Sequence, residues 1–270
     1  MIQIDIKPIT NEKKKKIFSK KNKNKLICHT IKNFIENFPD LIEYEQLQDL
    51  DIIDLIKEMN IPQKLNEYFN FIKKHLLMIL EDSKKLPKAK QFINKNNFNN
   101  VYNKIYDYIM EQLNDKLFPK ETGIKDIKIS QNCYKLSWVE PSHLIKFLKN
   151  YILDYYLPDA VKYFKKIDEK KSPRKKIICI NEIYNCIYNL GKFNDDNVEG
   201  ADEELPLLNY TSIKANPENI YNNCRYISLF IGNQKNRIEG NKLLKLLLLC
   251  ESIEKIKYQD LIKLATQSLI

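Results

Sequence analysis

The sequence predicts an all-α protein, and three observations predict it. Only 5 of the 270 residues are glycine and 10 are proline, so turns are few and elements are long. No run alternates apolar with polar residues at the period of two that a half-buried strand needs. Apolar residues instead recur at i, i+3, i+4 and i+7 over most of the chain, the stripe of a helix with one buried face. With 43% hydrophobic and 30% charged residues, the chain can fill one large core or two small ones.

The net charge of +10 is unevenly placed. Residues 1–25 hold nine lysines (Lys7, Lys13 to Lys16, Lys20, Lys21, Lys23, Lys25) against Asp5 and Glu12. The rest is almost balanced and lacks the basic–aromatic interleaving of a nucleic-acid groove, so no nucleic-acid partner is expected. Residues 1–24 read as a basic arm, disordered because a lysine cluster cannot bury itself. Its functional reading is attraction to an anionic membrane surface, roughly 1 kcal/mol per lysine. A solvated tail is the plainer reading, since no apolar anchor accompanies the charges.

Residues 25–120 read as a helical bundle. Leu26, Ile27, Ile31, Phe34, Ile35 and Phe38 form the first stripe, and Pro39-Asp40 ends it. Leu41 to Met59 is the second helix, broken at Ile61-Pro62; Leu65 to Leu80 is the third, broken at Leu86-Pro87. Val101, Ile105, Tyr108, Ile109 and Leu113 mark a fourth. His29 and His75 stand alone on these helices, without a second ligand at metal spacing. No metal or cofactor is expected.

Lys120 to Tyr134 reads as a polar connector, and Trp138 beyond it as a core anchor. Leu144, Phe147, Leu148, Tyr151 and Ile152 predict a helix entered at Pro141, and Pro158 starts another segment. Ser172-Pro173 is a helix start with Ser172 as N-cap; Ile180, Ile183, Ile187 and Leu190 form its buried face, and Gly191 its C′ residue. The acids Asp195, Asp196, Glu199, Glu203 and Glu204 read as a solvated rim. Ile220, Cys224, Ile227 and Phe230 or Ile231 predict a further helix. Gly232 to Gly240 is a polar loop, Leu243 to Ile256 a helix apolar nearly all round, and Gln259 to Leu269 a last short helix.

Six cysteines (Cys28, Cys133, Cys179, Cys186, Cys224, Cys250) make no CxxC pair. With no secretory run in MIQIDIKPIT, a reduced, cytoplasmic setting is expected. Leu243 to Cys250 is interrupted by Lys245 and far too short to span a bilayer.

The most informative stretch is GADEELPLLNYTSIKANP, Gly200 to Pro217. Asp202 and Pro206 are four residues apart, on one face of a helical start. Pro206 suits a first turn, where a missing N–H costs little. Leu207, Leu208, Tyr210, Thr211 and Ile213 make a helix apolar on most sides, hence buried. Pro217 ends it. By residue type alone, Asp202 reads as a helix-terminal carboxylate that caps its own helix.

Four patches in order, SWVEPSHL, SPRKKIICI, GADEELP with IKANP, and NNCRYISLF, resemble the signature of the vacuolar protein sorting nine domain, here the VPS-nine domain. They cover roughly residues 130 to 260. The resemblance implies a fold in which the N-terminal helical bundle packs against a layered helical VPS-nine domain at residues 125–268. It implies a guanine nucleotide exchange factor that expels GDP from an endosomal GTPase of the Rab-five subfamily, without covalent chemistry. Asp202 falls on the family's aspartate finger, which reaches the GTPase nucleotide site, disfavours its Mg²⁺-bound state and pairs with its phosphate-binding lysine. Pro206 falls on a proline that packs on the GTPase switch region, while Lys214 and Asn216 read as structural. Counting back from SIEKI, Asn241 and Leu244 stand where the family usually has a tyrosine and a threonine that contact the GTPase. The alternative is therefore a catalytically weakened module that binds a GTPase or scaffold. Either would be a monomeric cytoplasmic protein, peripheral to endosomal membranes.

Overall fold

The computed structural model describes residues 23–38, 52–82, 93–140, 150–192, 201–231 and 237–255. The described residues form ten α-helices and no strand. The chain divides into two compact units, Met1–Phe118 and Pro119–Ile270.

The first unit contains α1 (Lys23–Glu36), α2 (Ile52–Glu58), α3 (Ile61–Asp82) and α4 (Phe98–Leu117). Its core is the set of stripes expected from the periodicity: Ile31 from α1, Leu55 and Ile56 from α2, Leu65, Phe69, Ile72 and Leu76 from α3, and Tyr106, Ile109 and Leu113 from α4 are all buried. Phe34 stacks on Tyr68 with ring centroids 3.8 Å apart, and Phe69 meets Tyr106 at 4.5 Å. The break between α2 and α3 lies at Asn60, whose φ of 55° is left-handed, a conformation asparagine tolerates at a helix end. The Asn60 carbonyl accepts from the Lys64 N–H, so one residue closes α2 and opens α3. His29 lies beside Asn33 and His75 against the Phe71 carbonyl, ordinary helix-surface roles.

The second unit contains α5 (Ile124–Lys135), α6 (Asn150–Glu169), α7 (Pro173–Lys192), α8 (Ala201–Ala215), α9 (Ile220–Ile231) and α10 (Arg237–Glu254). The link Lys170 to Ser172 makes α6 and α7 an αα-hairpin. Helix α8 packs on α5, α6, α7 and α10, and α9 packs on α5, α6, α7 and α10 as well. One continuous core joins Phe164, Ile180, Ile183, Leu207, Leu208, Ile227, Leu246 and Cys250.

Several expectations are corrected. The supposed connector at 120–134 is largely helix α5. Pro158 starts no segment; it lies exposed within α6, on the water side where its lost hydrogen bond costs least. Gly191 lies inside α7, which runs on to Lys192. Trp138 is half-exposed and anchors no core. Helix α10 is buried on one side only, because Leu244 and Leu248 face water. The helix expected at 144–148, the acids Asp195, Asp196 and Glu199, the basic arm through residue 22 and the helix at 259–269 lie outside the described residues.

Candidate helix-pair surface for a protein partner

Helix α8 is the buried helix its sequence promised. Leu207, Leu208, Tyr210, Thr211, Ser212, Ile213 and Ala215 are all buried, and burying each large apolar side chain contributes about 1.5–3 kcal/mol. Its end is sharp. Asn216 adopts φ 44° and donates its N–H to the Ser212 carbonyl at 2.9 Å, and Pro217 cannot continue the ladder. Lys214 donates to the Ser137 carbonyl at 2.8 Å and lies over the Tyr210 ring, which fits the structural part expected of it.

The start of α8 differs from expectation. The helix begins at Ala201, so Asp202 is its second residue and Pro206 its sixth, inside the helix. Proline has no N–H to donate to the carbonyl four residues earlier, which is that of Asp202. The backbone around Asp202 therefore lacks one rung of the ladder. Asp202 lies within the first turn, where the helix dipole favours a carboxylate; its side chain lies outside the described residues.

Asn241 and Leu244 both lie exposed on α10. Leu244 is 56% exposed, and Leu248, one turn on, is 54% exposed. Two large apolar side chains thus lie one turn apart on the water-facing side of α10. The periodicity hid Leu248, because a leucine-rich stretch looks buried on every side.

The four expected site residues thus come from two helices that pack on one another. The link is an ion pair between Glu204 of α8 and Lys245 of α10, both partly buried. Glu204 therefore does not belong to a solvated rim. The start of α10 is fixed a second time, from α7. The Tyr184 hydroxyl donates to the Lys242 carbonyl at 3.0 Å, and Lys242 Nζ donates to Asn181 Oδ1 at 3.0 Å. Burial pushes the Tyr184 hydroxyl pKa up, so it remains a donor.

Beneath this pair runs a buried polar lock that sequence reasoning missed. Lys176 of α7 is 1% exposed. Its ammonium donates to the Ile167 carbonyl at 2.9 Å and to Asn223 Oδ1 at 2.5 Å. Asn223 Nδ2 donates to Asp168 Oδ1 at 2.6 Å, and the Glu218 N–H donates to Asp168 Oδ2 at 3.1 Å. Asp126 of α5 accepts from the N–H groups of Tyr221 and Asn222 at 2.7 and 3.1 Å, satisfying the free donors at the start of α9. Burial raises Asp126 to about 6, against the pull of those two bonds, and raises Asp168. Burial lowers Lys176 to about 8, opposed by Asp168. The only signal was the polar pair Asn222-Asn223 in an otherwise apolar stripe.

Among the described residues no group of three or more His, Cys, Asp or Glu side chains could hold a metal. Cys133, Cys179, Cys224 and Cys250 are buried free thiols. The architecture of this unit is all-helical among the described residues, with α8 and α10 packed on one another. Residues 157–258 match the Vacuolar sorting protein 9 (VPS9) domain. The chain is 30% identical over 135 residues to the Rab5 GDP/GTP exchange factor of Bos taurus, covering 48% of this chain and 27% of that protein. It is 40% identical over 75 residues to Vacuolar protein sorting-associated protein 9A of Arabidopsis thaliana, covering 26% and 14%. It is 30% identical over 118 residues to GTPase-activating protein and VPS9 domain-containing protein 1 of Homo sapiens, covering 42% and 8%. The matched stretch thus spans about a quarter or less of the length of these relatives.

Proposed function

We propose that this chain is a guanine nucleotide exchange factor for a Rab GTPase of the Rab5 kind, acting at endosomal membranes. The observation that carries the proposal is the VPS9 match over 157–258, which contains all four expected site residues. In this reading residues 125–268 are the exchange module and residues 25–120 a helical bundle preceding it. Asp202 is the finger. Expelling GDP strips a phosphate-binding lysine of its anionic partner, and a carboxylate brought in from outside offsets that loss. The carboxylate accelerates release only because it favours the nucleotide-free state over the bound one. Pro206 supports the reading by freeing the carbonyl of Asp202 from the helix ladder. Asn241, Leu244 and Leu248 form the second half of the contact.

The exposure of Asn241 and Leu244 also favours a second reading, a module that binds its GTPase and releases GDP slowly. Asn241 lacks a ring and Leu244 a hydroxyl, so the polar part of the contact is thin. Release of a fluorescent GDP analogue from a panel of Rab GTPases separates the two. Acceleration by the wild type, reduced on the order of a hundredfold by Asp202→Ala, is expected. Tight binding of nucleotide-free GTPase without acceleration would leave the second reading standing. An equal rate for Asp202→Ala would remove the finger.

A further inference from the structure

Helix α5 is built inside out. Its buried positions are Asp126, Ile129 and Cys133, and Asp126 is committed to the start of α9. Its solvent side carries Ile124 at 75% exposure, Ile127 at 43% and Tyr134 at 76%, followed beyond the helix end by Trp138 at 39%. Positions 124, 127 and 134 fall in one stripe about 80° wide, so the exposed apolar groups share one face, with the exposed Gln131 between Ile127 and Tyr134. Lys120, Lys125, Lys128 and Lys135 lie exposed along and around the stripe, with Glu121 and Glu140. Lys125 and Lys128 share a single carboxylate, Glu254, each at 3.8 Å. The face therefore keeps an excess of positive charge around an apolar, aromatic ridge.

We propose that this face docks on an anionic lipid surface. Isoleucine and the rings of tyrosine and tryptophan gain by leaving water at the headgroup level, while lysines meet the acidic headgroups and keep their stems on the apolar ridge. Charge favours acidic headgroups over a second copy of the chain, since two copies would bring two faces of the same net sign together. The face is independent of the exchange reading and compatible with it. Helix α5 is tied to the far end of α10, where Asn132 Nδ2 donates to the carbonyls of Ile253 and Glu254 at 2.8 and 3.3 Å. Leu244 lies nine residues earlier, about 14 Å along the helix, so both faces can be occupied together.

Trp138, the single tryptophan of the chain, reports on this face and not on the N-terminal lysines. The full chain is titrated with vesicles of phosphatidylcholine alone and of phosphatidylcholine with about one-third phosphatidylserine, with and without brominated acyl chains. Anionic vesicles are expected to shift Trp138 emission to the blue, and brominated lipid to quench it. Ile124→Ser combined with Tyr134→Ser, both at exposed positions, is expected to weaken vesicle binding roughly tenfold or more. Lys128→Glu combined with Lys135→Glu is expected to abolish the preference for anionic vesicles. Vesicle binding with unchanged Trp138 emission, equal binding to neutral vesicles, or no binding at all would overturn the proposal. So would a wild-type dimer in sedimentation that the serine variant dissociates.

Discussion

On α9, Asn223 is wholly buried, and both ends of its amide are taken, the oxygen by Lys176 and the nitrogen by Asp168. On α10, Asn241 lies exposed on the outer face, one turn before the exposed Leu244. One type of side chain serves two ends. Where donor and acceptor both come from within the chain and water is excluded, the amide holds α6, α7 and α9 together. On the open face it is left to water. The difference lies in surroundings rather than residue type: a buried polar group must be satisfied internally or its desolvation cost stands.

The sharpest way to break this comparison is to remove a partner from the buried side. Asp168→Ala leaves Lys176 buried and Asn223 without an acceptor for its Nδ2. Loss of one member of such a set costs about 3–5 kcal/mol. Asn241→Ala should change stability by less than about 0.5 kcal/mol. Urea unfolding followed by circular dichroism checks both, and equal effects would erase the distinction between lock and face.

A pH series sharpens it further, because the lock holds groups displaced in opposite directions. Burial raises Asp126 from 3.8 to about 6. The folded chain then holds that proton more tightly than the unfolded chain, so this group's contribution is greatest below about 4 and falls as pH rises to about 6. Burial lowers Lys176 from 10.5 to about 8. The folded chain binds that proton less tightly, so stability is gained as pH rises from about 8 towards 10.5. Each swing is on the order of 2–3 kcal/mol. Subtracting the urea-derived stability of Asp126→Asn from that of the wild type should reveal the first slope, and of Lys176→Met the second. Differences flat across both windows would count against the lock as drawn.

A smaller effect is expected at Gly123. A Cβ there would sit 2.9 Å from Asn222 Nδ2, behind the cap that Asp126 gives α9. Asn222 is itself buried, so it has little room to give. Gly123→Ala should cost about 1–3 kcal/mol by overpacking, seen as a lower unfolding midpoint with an unchanged slope in urea.

The helices that were legible in the sequence, α1, α3, α4, α7, α8 and α9, bury apolar residues at helical spacing. The link from α8 to α9 shows how complete that information can be: Asn216 takes the left-handed turn and Pro217 forbids another rung. Helix α5 was illegible for a physical reason. It buries an aspartate and a cysteine and exposes two isoleucines and a tyrosine, so hydrophobic periodicity points the wrong way. Lys176 was illegible likewise, because nothing in a lysine's neighbours along the chain says that a backbone carbonyl of α6 and an amide oxygen of α9 will meet it. In the candidate site, the residue types on α8 were readable. The Glu204–Lys245 contact was not, since it joins positions 41 residues apart.

That ion pair is where the lock and the face meet in kind: an internal partnership, only partly buried, at the edge of the open surface. Its side chains are 25% and 31% exposed, so solvent screens the attraction. A double-mutant cycle of Glu204→Ala and Lys245→Ala should give a coupling of no more than about 1 kcal/mol in stability. The effect on exchange should be disproportionate, because the pair fixes the first turn of α8, and so Asp202, relative to α10. Nucleotide release should slow several-fold for either single variant, and no further for the double, since the second loss removes nothing still intact. Singles that slow exchange independently, with effects that multiply, would mean that Glu204 and Lys245 each touch the GTPase and that the pair does not position the finger.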